Sequence, residues 1–187
     1  MAIYCNNLNV FDMNGKTIKE FQKSERYGKF FGTYFDRKTS KNYFLYCGVG
    51  FLESYDYNKG KLYNKYVKNM KNNYTYYHFV IYNNGIKTRI IAALIAGVTK
   101  GIIRIFNFNS AELLSEIGIE NNFSSLCLWN NNYLFIANEK CSIKLMDIEK
   151  EKIIKTFPKE LKMQFLLKCF NILFMENAFY LSIRMKQ

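Results

Sequence analysis

Four segments of this 187-residue chain share one cadence. They read LNVFDMNGKTIKEF with Asp12, LESYDYNKGKLYNKY with Asp56, IRIFNFNSAELLSEI with Asn107 and IKLMDIEKEKIIKTF with Asp147. Aligned on that acidic or amide residue, the copies are separated by 44, 51 and 40 residues. A chain that repeats at such a period is built from supersecondary units, none of which can bury its apolar face alone, so each must stack on its neighbours.

Each copy has the same physical grammar. An apolar alternating run ends at the Asp or Asn, a few polar residues turn the chain, and a second run returns it. Asn14-Gly15 and Asn58-Lys59-Gly60 supply turn residues that tolerate positive φ. On the returning run, apolar residues recur at fixed offsets from the anchor: Leu62 and Tyr66, Leu113 and Ile117, Ile153 and Phe157. Fixed offsets put equivalent side chains on equivalent faces, since a one-residue slip turns a strand over. Upstream of Asp56 lie two further strand-like runs, 30–35 and 43–49; upstream of Asn107, 74–82 and 89–98; upstream of Asp147, 123–129 and 133–138. Short turns, GVGF, VTKG and NEKC, join the last two runs each time. Four β-branched and aromatic strands per repeat make a propeller blade.

Composition narrows the setting. At 49% hydrophobic residues the chain reads as one globular domain. The longest apolar run, RIIAALIAGV at 89–98, falls well short of the ~18 residues a spanning helix needs. MAIYCNNLNV does not resemble a secretory signal, which leads us to expect an intracellular chain. Cys5, Cys47, Cys127, Cys141 and Cys169 form no C-x-x-C pair and are expected to be reduced, mostly buried thiols. A formal charge of +12 favours acidic partners, whether nucleic acid, protein or anionic lipid, without choosing among them.

Repeats of this length and strand order resemble the WD-repeat β-propeller family across residues 8–157. The family's tryptophan before the aspartate is replaced by Phe11, Tyr55, Phe106 and Met146, and no Gly-His opens a repeat, since His78 is the only histidine. The His-Ser-Asp-Trp hydrogen-bond tetrad of that family therefore has no counterpart of the usual composition, and packing must carry more of the stability. Within the family, FFGTYF (30–35), NNYTYYHFVIYN (72–83) and IAALIAGVTKGIIRIFN (91–107) resemble the embryonic ectoderm development, or extra sex combs, group of Polycomb propeller subunits. That resemblance implies a scaffold for a SET-domain histone methyltransferase and a nuclear location, with a cytoplasmic generic scaffold as the alternative. It also implies that Phe31 and Tyr74 fall on two positions of an aromatic cage for trimethyl-lysine on a histone tail. Ring faces attract a quaternary ammonium. The cage's other aromatics belong to later blades.

Catalytic chemistry finds no constellation. One histidine excludes His-rich zinc sites, and His78, inside the alternating run YTYYHFVIY, is expected to pack or hydrogen-bond within a blade. Glu149 and Glu151 flank lysines in a turn and read as solvated surface. GVGF at 48–51 lacks a phosphate loop's remaining glycine and helix. We therefore expect no enzyme activity, no cofactor and no metal. The segment 58–73 carries Lys59, Lys61, Lys65, Lys68 and Lys71 with Tyr63 and Tyr66 between them, a pattern that can follow a nucleic-acid backbone or form a solvated outer strand. Phosphoinositide-binding propellers are also similar at TKGIIRIFN, but their Phe-Arg-Arg-Gly motif is absent, the chain reading SEIGIENN instead.

These readings predict an all-β, incomplete propeller arc of about four four-stranded blades. The expected parts are a partial blade over 1–22, blades over 29–67, 74–117 and 122–157, and a degenerate blade over 161–187. Helical spacing competes in 161–175, but the division at Glu176-Asn177 favours two strands. Open arcs leave exposed strand edges, so closure needs missing blades or a partner.

Overall fold

The computed structural model describes residues 8–11, 14, 16–21, 28–66, 74–96, 100–120, 123–130, 132–138 and 142–157. All of its regular elements are strands. A two-stranded hairpin, β1 (Leu8–Phe11) and β2 (Thr17–Phe21), comes first. Blade A follows as β3 (Gly28–Asp36), β4 (Lys41–Gly48), β5 (Phe51–Asp56) and β6 (Lys61–Lys65). Blade B is β7 (Tyr74–Asn83), β8 (Thr88–Ala96), β9 (Lys100–Asn107) and β10 (Leu113–Glu120). Blade C is β11 (Phe123–Trp129), β12 (Tyr133–Asn138), β13 (Ile143–Asp147) and β14 (Lys152–Phe157). Each blade is an antiparallel meander in chain order, with β7 lying beside both β3 and β11. The degenerate blade expected over 161–187 lies outside the described residues.

The anchors earn their place in the repeat through the turn after the third strand. Asp56 Oδ1 accepts from Lys59 N at 2.9 Å, Asn107 Oδ1 from Asn109 N and Ser110 N at 2.9 and 3.1 Å, and Asp147 Oδ1 from Lys150 N at 3.0 Å. Such Asx caps satisfy backbone donors that a tight turn would otherwise strand. Four residues past each anchor the backbone enters the left-handed region, at Gly60 (φ 66°), Ala111 (φ 59°) and Glu151 (φ 53°). Glycine takes that conformation freely, whereas Ala111 and Glu151 take it against their Cβ.

A bulge then follows seven residues past each anchor. Tyr55 pairs with Leu62 and Ser54 with Asn64, leaving Tyr63 extra; Leu114 and Ile154 are the extra residues in blades B and C. Simple alternation would place Leu62 and Tyr66 on one face. The extra residue reverses the parity, so Leu62 lies opposite Tyr55, which packs towards the hairpin, while Tyr66 packs towards blade B. Ile153 and Phe157 divide likewise between the two faces of blade C. The matching offsets thus hold from blade to blade, with the bulge deciding which face each offset meets.

Two apolar seams join the blades. Leu45, Cys47, Leu52 and Tyr66 of blade A meet Tyr76, Phe79, Leu94 and Phe106 of blade B. On the other side of blade B, Ile91, Ile103 and Ile105 meet Leu126, Leu134 and Met146 of blade C. Strand β8 is covered on both faces, with Arg89 through Ile95 all buried, which explains why RIIAALIA is a continuous apolar run rather than an alternating one. Each isoleucine buried there stabilises the fold by about 1.5–3 kcal/mol relative to exposure. The residues in the tryptophan position, Tyr55, Phe106 and Met146, are all buried. Packing occupies the place of the missing tetrad.

Candidate functional site

The two cage positions sit on inner strands but face different partners. Phe31, in β3, is 48% exposed and stacks on Phe44 with ring centroids 6.2 Å apart. Tyr74 opens β7, is partly buried, and has the Arg104 guanidinium 5.2 Å from its ring centroid. Arg104 is itself held by Glu116, with Nε donating to Oε2 at 2.7 Å, and by Tyr76, whose hydroxyl accepts at 3.2 Å. The cation–π position on Tyr74 is therefore filled by the protein's own cation.

The basic segment divides in a comparable way. Lys68 and Lys71 lie outside the described residues. Lys59 and Lys61 are exposed, while Lys65 Nζ stands 3.7 Å from Glu53 Oε1 and offsets a carboxylate that is almost wholly buried. The interleaved tyrosines are engaged in packing. Tyr63 meets Tyr43 at 4.8 Å, and Tyr66 is buried against Phe106 and Phe108. Neither offers the open ring face on which a nucleobase stacks.

Polar side chains that the sequence did not single out as a group converge on the seam between blades A and B. Tyr66 Oη donates to Phe108 O at 2.9 Å and lies 2.9 Å from Ser54 Oγ. Asn64 Nδ2 donates to the same carbonyl and to Asn109 O, both at 2.9 Å. Blade A's outer strand thus grips the β9–β10 turn of blade B. Burial pushes the Tyr66 hydroxyl well above the ordinary phenol range, keeping it a neutral donor.

Between blades B and C the hub is Glu149. It accepts from Tyr82 Oη, from Asn84 Nδ2 at 3.0 Å and from Lys87 Nζ, and it lies 3.9 Å from Arg89 Nη2. Arg89 also donates to Ile148 O at 3.2 Å and stands 3.6 Å from Glu151. The expectation that Glu149 and Glu151 are solvated turn residues is therefore corrected: they pin the β7–β8 loop and Arg89 to the β13–β14 turn. Lys87, then Tyr82, hold the Glu149 carboxyl below its usual range. His78 also differs from expectation. Its Nδ1 accepts from Leu126 N at 3.2 Å, so it links blade B to blade C rather than bonding within a blade. Burial pushes the His78 pKa down to about 4, which keeps the imidazole neutral and accepting at neutral pH.

Cys47 is buried and Cys127 partly buried, both as free thiols; Cys5, Cys141 and Cys169 lie outside the described residues. Among the described residues, no group of three or more His, Cys, Asp or Glu side chains is placed to hold a metal ion. No helix among them is long and apolar enough to cross a membrane.

No protein-family model matches the chain, and no curated protein does. Its fold does match solved structures. One is the WD40 beta propeller domain of Doa1, with a TM-score of 0.61 at 12% identity, covering 81% of this chain and 47% of that one. The chain thus spans about half the length of that propeller chain. At this identity the likeness is one of fold: an all-β, WD40 propeller-like arc.

Proposed function

We propose that this chain is a non-catalytic interaction scaffold that presents a propeller-like arc to a protein partner. The observation that carries this reading is where the ionisable and amide side chains are used. Asp56, Asn107 and Asp147 cap turns, Arg89 and Glu149 bridge blades B and C, and Arg104 is held by Glu116. Side chains of the types that carry catalysis are engaged in holding blades to one another. The WD40 propeller-like fold supports the same reading.

The finer form of the proposal is a Polycomb-type scaffold in the nucleus, holding a SET-domain methyltransferase and reading trimethyl-lysine through Phe31 and Tyr74. It rests on the sequence resemblance and on the exposure of Phe31, and it requires Arg104 to yield the Tyr74 ring. Purification of the full chain from its native source, followed by mass spectrometry, tests the general reading. Stoichiometric recovery of a protein partner supports it, and a methyltransferase partner supports the finer form. Recovery of nucleic acid or anionic lipid alone, lost with added salt, would replace it with the basic-surface alternative. For the cage, a trimethyl-lysine histone peptide should bind and lose binding in Phe31→Ala and Tyr74→Ala; no binding by the intact complex rejects it.

A further inference from the structure

Strands β1 and β2 form the only two-stranded sheet among the described residues. By its anchor at Asp12 the hairpin corresponds to the outer pair of a blade. Phe21 of β2 stacks on Phe44 at 5.5 Å and meets Tyr55 at 6.1 Å, covering β4 and β5 of blade A. The same face of the inner strand β3 is poorly covered. Phe31 is 48% exposed and Phe35 51% exposed. In blade B, where a complete blade lies alongside, the equivalent face of the inner strand β7 buries Tyr76 completely and leaves Phe79 only 5% exposed. Blade A therefore shows an apolar strip just where the inner pair of the hairpin's blade would lie.

The sequence holds an unassigned pair of the right kind. After β14 come CFNILFM (169–175) and AFYLSIRM (178–185), two apolar runs divided at Glu176-Asn177. The chain leaves β14 at Phe157, on the face of blade C that carries Phe135, Ile143 and Leu145, so these runs follow blade C as the next inner pair would. One copy's arc matches 47% of a WD40 propeller chain, so two copies match twice that, 94%. That curvature brings the leading edge of one copy to the trailing edge of another, rather than to its own.

We propose that two copies of this chain close one ring head to tail. In it, residues 161–186 of each copy supply the inner strands that the β1–β2 blade of the other lacks, seated over Phe31 and Phe35. Each copy contributes three complete blades, an outer pair and an inner pair, giving about eight blades, within the range that propellers span. A twofold axis along the ring makes the two junctions identical and leaves no free strand edge. This inference concerns assembly and stands independently of which partner the scaffold holds.

The test is the mass of the full chain in solution, measured by light scattering and native mass spectrometry. The expected value is twice the 22.2 kDa of one chain, falling to one chain in Phe31→Glu/Phe35→Glu. Hydrogen exchange on the unaltered chain across a dilution series gives a second readout that needs no variant. Protection of the Phe31–Phe35 amides and of 161–186 should be lost together as the dimer dissociates. A monomer at every concentration overturns the proposal, as does a dimer indifferent to the double substitution. Concentration-independent protection of both segments also overturns it, in favour of closure within one chain.

Discussion

Replacing Tyr66 with phenylalanine keeps the ring against Phe106 and Phe108 and removes a single oxygen. That oxygen donates to Phe108 O and contacts Ser54 Oγ, each at 2.9 Å, in a buried seam. Phe108 O keeps its bond from Asn64 Nδ2, so the carbonyl is not stranded. Ser54, fully buried, loses this partner. One lost hydrogen bond costs about 1 kcal/mol and an unsatisfied buried hydroxyl about 1 kcal/mol more, so Tyr66→Phe should destabilise by about 2 kcal/mol. Ser54→Ala alone should cost about 1 kcal/mol, and the double variant about as much as Tyr66→Phe, giving a coupling of about 1 kcal/mol. Urea unfolding followed through Trp129, the single tryptophan, reads the change from a different blade. An unaltered m-value with a shifted midpoint would show that the blades unfold together. A Tyr66→Phe cost below about 0.5 kcal/mol, or strictly additive single variants, would refute the seam network as a replacement for the family tetrad.

Four further outcomes follow from other contacts. His78 has a folded pKa of about 4 against an ordinary 6.5, so the unfolded chain binds the extra proton first. Its contribution is intact above about pH 6.5 and is lost as pH falls towards 4, by up to about 3 kcal/mol; acid titration of the midpoint in wild type and His78→Gln should show the slope only in wild type. Glu149→Gln should destabilise at low salt and by less at high salt, because its carboxylate serves Lys87 and Arg89. With its folded pKa lowered, the Glu149 contribution is present above its ordinary pKa and fades as pH drops below it. Gly60→Ala should cost about 1–2 kcal/mol for a left-handed backbone, while Ser40→Gly, at φ 52° on an exposed turn, should gain a few tenths to about 1 kcal/mol by thermal melting.

The strands and anchors were legible because repetition reports on them several times over. Asp56, Asn107 and Asp147 recur with the same turn chemistry, and all three cap turns. The strand ends shifted only slightly: 30–35 became Gly28–Asp36 and 74–82 became Tyr74–Asn83. The bulges at Tyr63, Leu114 and Ile154 were not legible, since one extra residue is invisible to a period-two reading until the partner strand is in place. His78 and Glu149 were misread for a related reason. Their partners lie 48 to 67 residues away in sequence, in a neighbouring blade, and no local pattern announces them. The aromatics of the basic segment carried a double meaning in sequence that only burial separates: Tyr66 is core, and Tyr63 rests on Tyr43. Phe31 has the opposite history, since its exposure depends on a neighbouring blade that is only a hairpin among the described residues.

The central claim is that one repeat, written around Asp56, Asn107 and Asp147, builds three equivalent blades. A crystal structure of the full chain tests it most directly. The account predicts three four-stranded meanders in which Leu62 faces Tyr55, Leu113 faces Phe106 and Ile153 faces Met146, each followed by one extra residue. An unbroken period-two register after the anchors, or anchors at non-equivalent positions in their sheets, would contradict it.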